Sequence, residues 1–327
     1  MTRREPLHSW VAGRVIEAFF AGGAAAGGSL PPAKPGFHGV ELFADIAYRR
    51  SGHPAHRLDI YRPRGLEGHA PVVFYVHGGG FRFMSKDSHW VMALGFARRG
   101  YVVVCINYRL APRHPFPAAL VDTCHAFEWV RHHIANYGGN PEEILIAGES
   151  AGANLTANLA LASAVPFDEA WMQRVYRLDV APRAAMVACG ILQVSDPERY
   201  LRKKKPLPPW LFHRIEEVHR DYLKPSSYLH RRSSRLADPL VVLEKMNRLP
   251  DDFPPIFAPV GTKDPLIDDT RRLEAALFRL GGDVVARYYP NELHAFHAFV
   301  WRSRARQCWA DTYEFLDRHL PIKPQTS

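Results

Sequence analysis

The chain has 327 residues, of which 47% are hydrophobic and 23% charged. This balance is typical of folded globular proteins and excludes a largely disordered chain, and the length is enough for one large α/β domain or a domain with a smaller appendage. The formal net charge is +9, but no nucleic-acid-reading motif accompanies the basic residues, so nucleic acid is not a predicted partner. Basic clusters at 202–205 and 231–235 are typical of solvated surface and leave open a weak contact with an anionic surface.

The cysteines are far apart and form no CxxC pair, so the sequence predicts neither a zinc site nor a redox pair. We expect them to be core thiols in a reducing compartment. No other residue cluster predicts a metal or an organic cofactor. The four cysteines are Cys105, Cys124, Cys189 and Cys308.

The N-terminal segment combines a charged start with an apolar stretch, as a signal peptide does. Arg14 and Glu17 interrupt that stretch, and Val11, Val15 and Phe19 fall at helical spacing, which favours an amphipathic helix. We therefore expect a cytoplasmic protein, with export through a weak N-terminal signal as the alternative. No segment is long and apolar enough to span a membrane.

From about residue 70, short apolar runs alternate with helical patterns. Residues 71–76 and 101–106 are apolar or aromatic and rich in β-branched types, which predicts buried strands. Apolar residues trace one face of a helix over 117–134, and a third strand at 144–147 leads into a helix that ends near residue 164. This alternation predicts βαβ units and a mainly parallel sheet.

The second half of the chain continues the pattern. Strands are predicted at 184–189, 256–260 and 284–289, with a helix over 270–280 between the last two. Pro259 is awkward in its strand because proline donates no hydrogen bond to a ladder.

A GxSxG string, GESAG at 148–152, lies between a predicted strand and a predicted helix. A serine on such a tight turn takes a strained backbone conformation, and its hydroxyl projects above the sheet as a nucleophile. The context therefore favours Ser150 as a nucleophile over an ordinary helix N-cap serine.

A glycine run, HGGG at 77–80, follows the first buried strand. Acyl transfer needs unobstructed N–H donors for its oxyanion, and the N–H groups of Gly79, Gly80 and Ala151 are suited to supply them. A flexible turn or a phosphate-binding nest is the alternative for the run alone.

A serine nucleophile needs a base and a carboxylate that orients the base. Asp264 follows a predicted strand at its carboxyl end, where the sites of such sheets assemble, whereas Asp268 and Asp269 fit the first turn of a helix. The stretch LHAFHAF at 293–299 offers both His294 and His297. The pattern alone leaves open which of the two is the base.

Five motifs together resemble the hormone-sensitive lipase family of α/β-hydrolases. They are HGGGF at 77–81, NYRLAPRHPFPAAL at 107–120, GESAGANL at 148–155, DPLIDD at 264–269 and YPNELHAF at 289–296. The resemblance implies an α/β-hydrolase fold, with a mostly parallel central sheet flanked by helices and a helical cap. It also implies Ser150 as nucleophile, Asp264 as acid and His294 as base, with His297 as the alternative base.

The resemblance divides the chain into a cap and a core. Residues 1–50 and 195–240 are predicted as cap segments, and residues 51–194 and 241–327 as the two parts of the hydrolase core. The family pattern is not kept everywhere: Glu149 stands for a common Asp, Ala153 and Ala295 for Gly, and Arg113 for a frequent Glu. Four residues are predicted near the substrate pocket, namely Arg82, Met84, Trp210 and Phe212.

The expected activity is hydrolysis of short- to medium-chain acyl esters through an acyl-enzyme intermediate. A serine amidase or peptidase, and a non-catalytic small-ligand receptor, are the alternatives on the same fold. The expected partner is a small-molecule ester, and a homodimer is left open.

Overall fold

The computed structural model describes residues 30–203, 206–224 and 234–322. These residues form one sheet, in which the first three strands of the spatial order run antiparallel and all later neighbours are parallel. The strands are β1 (Val40–Ala47), β2 (Arg57–Pro63), β3 (Ala70–Val76), β4 (Val102–Ile106), β5 (Gly139–Glu149), β6 (Ala184–Ala188), β7 (Ile256–Gly261) and β8 (Val284–Tyr289), in the spatial order β1-β2-β4-β3-β5-β6-β7-β8.

Helices cover both faces of the sheet. On β3, Val72 and Phe74 point into one apolar cluster and Val73 and Tyr75 into another, as the two-residue period of a strand requires. Burial on both faces explains why β3 and β4 are apolar throughout. The helices are α1 (Trp90–Ala97), α2 (Ala118–His133), α3 (Ala151–Ala164), α4 (Ala170–Tyr176), α5 (Pro209–Leu223), α6 (Pro239–Lys245), α7 (Ile267–Arg279) and α8 (Ser303–His319).

The predicted strands and the parallel sheet are confirmed, and so is the helix predicted over 117–134. The helix predicted over 270–280 begins three residues earlier, at Ile267. Strands β1 and β2 were not predicted, and β1 lies inside the segment 1–50 that sequence analysis assigned wholly to the cap. Its sequence, VELFADIA, contains acidic residues and is only partly buried, so it has no continuous apolar run.

Pro259 does lie inside a strand with neighbours on both sides. Its carbonyl oxygen accepts a hydrogen bond from the N–H of Cys189 at 3.0 Å. Because the nitrogen and the carbonyl of one strand residue point to the same side, the proline nitrogen, which has no hydrogen to donate, also faces the β6 side. The register between β6 and β7 ends at Met186 and Phe257. The proline is thus accommodated where this strand pair stops its regular pairing.

Residues 195–240 form short helices where they are described. These are a 3-10 turn at Pro197–Tyr200, helix α5, a second 3-10 turn at Ser234–Ala237 and the start of α6. The predicted N-terminal amphipathic helix and the alternative signal segment lie outside the described residues, as do 204–205 and 231–232 of the basic clusters. Across the part of the chain that is described, no helix is both long and apolar enough to cross a bilayer.

Candidate active site

Ser150 lies on the sharp turn between β5 and α3. Its backbone has φ 53° and ψ −115°, a region that an L-residue occupies only under strain, and its side chain is partly exposed. Gly152 is required two residues later, because a Cβ there would lie 2.1 Å from the carbonyl oxygen of Val76. The turn predicted from GxSxG is therefore present, and it packs directly against the end of β3.

The glycine loop after β3 is held in a conformation that side chains would disturb. Gly79 has φ 102°, and a Cβ there would lie 2.1 Å from the carbonyl oxygen of Phe83. Gly80 also has a left-handed φ, of 58°. Ala151 is the first residue of α3, where a helix leaves the N–H without an intrahelical acceptor.

Asp264 and His294 follow the neighbouring strands β7 and β8. His294 Nδ1 lies 2.8 Å from Asp264 Oδ2, and the other carboxylate oxygen, Oδ1, accepts the N–H of Leu266 at 2.8 Å. The carboxylate is fully buried, whereas the imidazole is 34% exposed. The Asp264 carboxylate is therefore fixed by the fold, and it contacts His294 through Nδ1.

The surroundings of His294 alter its basicity in opposing directions. Burial by itself lowers the pKa of the imidazole, but the Asp264 carboxylate outweighs it, and the pKa of His294 is raised well above its ordinary value. Hydrogen bonding to an ionised carboxylate favours the charged form of a histidine. The ring is thus a stronger base than a free histidine.

His297, the second histidine of LHAFHAF, has a different partner. It lies in a 3-10 turn at Phe296–Ala298, and it is buried. Its Nε2 lies 2.8 Å from Glu149 Oε2, although the N–H direction is too far off line for a regular hydrogen bond. The two histidines therefore contact different carboxylates, Asp264 and Glu149.

A family model described as an alpha/beta hydrolase fold matches residues 73–298. The chain belongs to the hormone-sensitive lipase family of α/β-hydrolases. Esterase LipQ of Mycobacterium tuberculosis is 31% identical over 272 residues, which is 80% of this chain and 59% of that protein. The carboxylic ester hydrolase LipN of the same organism is 31% identical over 263 residues, covering 79% of this chain and 66% of its own.

The matched part of the chain thus spans a little over half of the length of LipQ. Among solved structures, esterase LipW from Mycobacterium marinum superimposes with a TM-score of 0.73 over 93% of this chain and 89% of its own, at 23% identity. That likeness supports the α/β-hydrolase fold.

In this family member, Glu149 connects the Ser150 turn to residues far away in sequence. His89 Nε2 lies 2.9 Å from Glu149 Oε1 and 3.4 Å from the N–H of Gly78. Burial alone would raise the pKa of Glu149, but contacts with His297 and His89 hold that pKa well below its ordinary value. In the sequence, Glu149 stands out only as a departure from the family pattern, and no motif contains His89.

His77, the first residue of the HGGG run, is a structural residue. Its ring stacks on Tyr108 with 4.2 Å between centroids, and its Nδ1 lies 2.7 Å from the carbonyl oxygen of Gly78. Burial lowers the pKa of His77 to about 3. The ring is therefore neutral at physiological pH and stabilises the start of the glycine loop.

Arg82, predicted near the pocket, is turned towards helix α5. Its guanidinium lies 2.8 Å from Glu217 Oε2 and 2.8 Å from Asp221 Oδ2. Phe81 stacks on Tyr222 of the same helix, with centroids 3.7 Å apart and ring planes 7° from parallel. The loop HGGGF and helix α5 are thus joined by charge and by aromatic stacking.

The other predicted pocket residues lie on the same two elements. Met84 follows the glycine loop, and its Cγ lies 3.1 Å from where a Gly79 Cβ would be. Trp210, at the start of α5, is 42% exposed, while Phe212 is partly buried against the main apolar cluster. These positions leave a substrate-binding role for Met84, Trp210 and Phe212 as a prediction.

Asp268 and Asp269 lie in the first turn of α7, as predicted. Asp269 is buried, and it also has partners outside its own helix. Its carboxylate accepts a hydrogen bond from the N–H of Leu192 at 2.9 Å and pairs with Arg199 at 2.8 Å. Asp268 pairs with Lys203 at 2.6 Å. Lys203 of the basic cluster at 202–205 is therefore paired with the first turn of α7.

Proposed function

We propose that this chain hydrolyses carboxylic esters with short to medium acyl chains. Ser150 Oγ attacks the ester carbonyl while the free ring nitrogen of His294 takes the hydroxyl proton. That proton then passes to the alcohol, which leaves as the ester bond breaks. Water, deprotonated by the same imidazole, releases the acid from Ser150 and restores the hydroxyl.

The observation that carries this proposal is the 2.8 Å hydrogen bond between His294 Nδ1 and the buried Asp264 carboxylate. It fixes the tautomer that leaves the other ring nitrogen as the proton acceptor. The loop of His294 also contacts the Ser150 turn, since His297 lies 2.8 Å from Glu149. A strained serine and an imidazole oriented by a carboxylate, on adjoining loops, are components that acyl transfer requires.

The oxyanion of the tetrahedral intermediate is assigned to the N–H groups of Gly79, Gly80 and Ala151. Gly79 and Gly80 have left-handed backbones and no Cβ of their own, and Ala151 begins α3. Donors fixed before the reaction stabilise the developing charge without reorganisation, and one such donor contributes roughly 10²–10³ in kcat.

Helix α5 packs close to the glycine loop, since Val218 Cγ2 lies 3.0 Å from where a Gly80 Cβ would be. The preference for short to medium acyl chains stays a prediction from the sequence. We further propose residues 195–240 as the cap, a cytoplasmic location and a small-molecule ester as partner. A homodimer is left open as before.

The test is a ladder of p-nitrophenyl esters from acetate to palmitate, with matched p-nitroanilides of the same acids. We expect wild type to hydrolyse the short esters fastest and the anilides far more slowly, and Ser150→Ala to be inactive on both series. Faster turnover of the anilides would indicate an amidase or peptidase. Inertness of wild type on every compound would favour a ligand-binding role.

A further inference from the structure

Four neighbouring parallel strands each deliver one side chain to the same edge of the sheet. Ser150 follows β5, Cys189 follows β6 and Asp264 follows β7, and His294 lies in the loop after β8. Sequence analysis treated the four cysteines as core thiols, and all four are buried as predicted. Cys189 differs from the other three because its position after β6 places it close to Asp264 and His294.

Cys189 lies beside the proposed acid and base. Its Sγ, a carboxylate oxygen of Asp264 and a ring nitrogen of His294 all lie within 4.8 Å of one another. Over residues 30–203, 206–224 and 234–322, this is the one group of three such side chains close enough to share a metal ion. Cys189 and Asp264 are buried, whereas the imidazole of His294 is partly exposed. An ion from solvent would therefore reach His294 first.

The three donors match the preferences of a thiophilic divalent cation. Zinc bonds are about 2.3 Å to sulfur and about 2.0–2.2 Å to nitrogen or oxygen, so tetrahedral ligand atoms lie roughly 3.3–3.7 Å apart. His294 Nδ1 and Asp264 Oδ2, now 2.8 Å apart, would have to part by roughly 0.5 Å to hold one ion, and no ligand atom of the group lies more than 4.8 Å from another. Three protein ligands would leave a fourth position for water, and a thiolate selects against Mg²⁺ and Ca²⁺.

We propose that Cys189, Asp264 and His294 form an inhibitory binding site for a thiophilic divalent cation such as Zn²⁺ or Cd²⁺. Binding engages the imidazole and carboxylate that the ester reaction uses, so a loaded protein cannot transfer the serine proton. The inhibitory effect rests on the function proposed above, whereas cation binding itself does not.

Charge balance favours this ion in a buried site. The thiol releases its proton to solvent and becomes a thiolate, a protonated imidazole likewise loses a proton and gives a lone pair, and Asp264 contributes a carboxylate. One thiolate, one carboxylate and a divalent cation sum to zero, which avoids leaving an uncompensated charge away from water.

The released proton makes binding depend on pH. The charged groups that face Cys189 are His294, Asp264 and Glu149. A protonated thiol and a protonated imidazole must each lose a proton before they can bind the ion. Cation affinity therefore rises as pH rises, because protons and metal compete for the same atoms.

The test is a Cd²⁺ titration of the full-length protein, followed by the ultraviolet charge-transfer absorption of a cadmium thiolate. Wild type is expected to bind one equivalent with this signal. Cys189→Ala is expected to lose it, and His294→Ala to weaken binding by more than roughly tenfold, the lower limit for losing even an indirect contact at a metal site. Cys124→Ala removes a buried thiol outside the group and is the matched control.

A parallel measurement follows Zn²⁺ inhibition of ester hydrolysis, with each variant scaled to its own activity. Cys189→Ser serves as a second variant should the alanine variant not fold. Absence of the cadmium signal in wild type, or its persistence in both Cys189 variants, would overturn the site. A protein that binds Cd²⁺ but hydrolyses no ester would instead refute the proposed function alone.

Discussion

His297 Nε2 lies 2.8 Å from Glu149 Oε2, so the second histidine of LHAFHAF contacts the residue that immediately precedes Ser150. His89 Nε2 lies 2.9 Å from the other oxygen of the same carboxylate. A single buried carboxylate thus joins the turn of Ser150 to the histidine loop and to the segment beside the glycine loop. The repeat places its two histidines in separate roles, one beside Asp264 and one beneath the serine turn.

Glu149→Gln tests this buried contact. Losing the charge leaves two imidazoles without their carboxylate, and removing one partner of a buried pair costs roughly 3–5 kcal/mol of unfolding free energy. Because the folded pKa of Glu149 is depressed, its stabilisation is present above the unfolded pKa of a glutamate and is lost as pH falls through the folded pKa.

The matched control is Glu314→Gln. Glu314 pairs with Arg318 at 2.5 Å, the two side chains are 64% and 51% exposed, and exposed pairs contribute less than about 1 kcal/mol. Urea unfolding at neutral pH measures both variants. Equal losses of stability would mean that Glu149 and its two histidines contribute no more than a surface pair.

The pH profile tests the influence of Asp264 on His294. Only the neutral imidazole takes a proton, and its pKa is raised by the Asp264 carboxylate despite burial. We therefore expect kcat/KM to fall as pH decreases, with a midpoint above the ordinary histidine pKa of about 6.5. Asp264→Asn should move that midpoint to lower pH and reduce kcat by roughly 10⁴. An unchanged midpoint in the variant would mean that Asp264 does not raise the pKa of His294.

The two alanines of LHAFHAF provide a test of backbone strain. Ala295 has a left-handed φ of 53°, which costs an L-residue about 1–2 kcal/mol, whereas Ala298 lies in a 3-10 turn. Ala295→Gly should raise the free energy of unfolding by about 1 kcal/mol. Ala298→Gly should lower it by about 0.5–1 kcal/mol. Thermal unfolding measures both, and the same sign for the two variants would argue against a strained Ala295.

A double-mutant cycle tests the connection between the glycine loop and α5. Arg82 and Asp221 are 20% and 13% exposed, so we expect Arg82→Ala and Asp221→Ala to show a coupling energy of about 1–3 kcal/mol. The exposed pair of Arg99 and Asp317, 47% and 52% accessible, should couple by less than about 1 kcal/mol.

The same Arg82 variant tests the prediction that this residue lies near the substrate pocket. Its charge is directed to two carboxylates of α5, so Arg82→Ala should leave the ratio of KM values for an anionic and a neutral ester unchanged. A change in that ratio would assign Arg82 to substrate binding.

Much of the core was predictable because buried parallel strands carry an unmistakable signal. Strands β3 and β4 are apolar on both faces, and Ser150 and Gly152 are confined to their turn by strain and close packing. Strand β1 was missed because a partly exposed edge strand needs no apolar run.

The contacts of the candidate site were less predictable, because they join residues that are far apart in the chain. Glu149 and His89 are 60 residues apart, and Arg82 and Glu217 are 135 apart. Cys189 reaches His294 only because β6, β7 and β8 are neighbours in the sheet. Contacts of this kind do not follow from local spacing in the sequence. Predicting them requires the order of the strands in the sheet.

The central claim is that His294, and not His297, is the base for Ser150. Hydrolysis of p-nitrophenyl acetate by wild type, His294→Ala and His297→Ala, each checked for folding by circular dichroism, tests it directly. We predict that kcat falls by roughly 10⁴ or more in His294→Ala, as for loss of a catalytic histidine in a serine hydrolase, while folded His297→Ala retains activity at reduced stability. Full activity of His294→Ala, or inactivity of His297→Ala alone, would contradict the account.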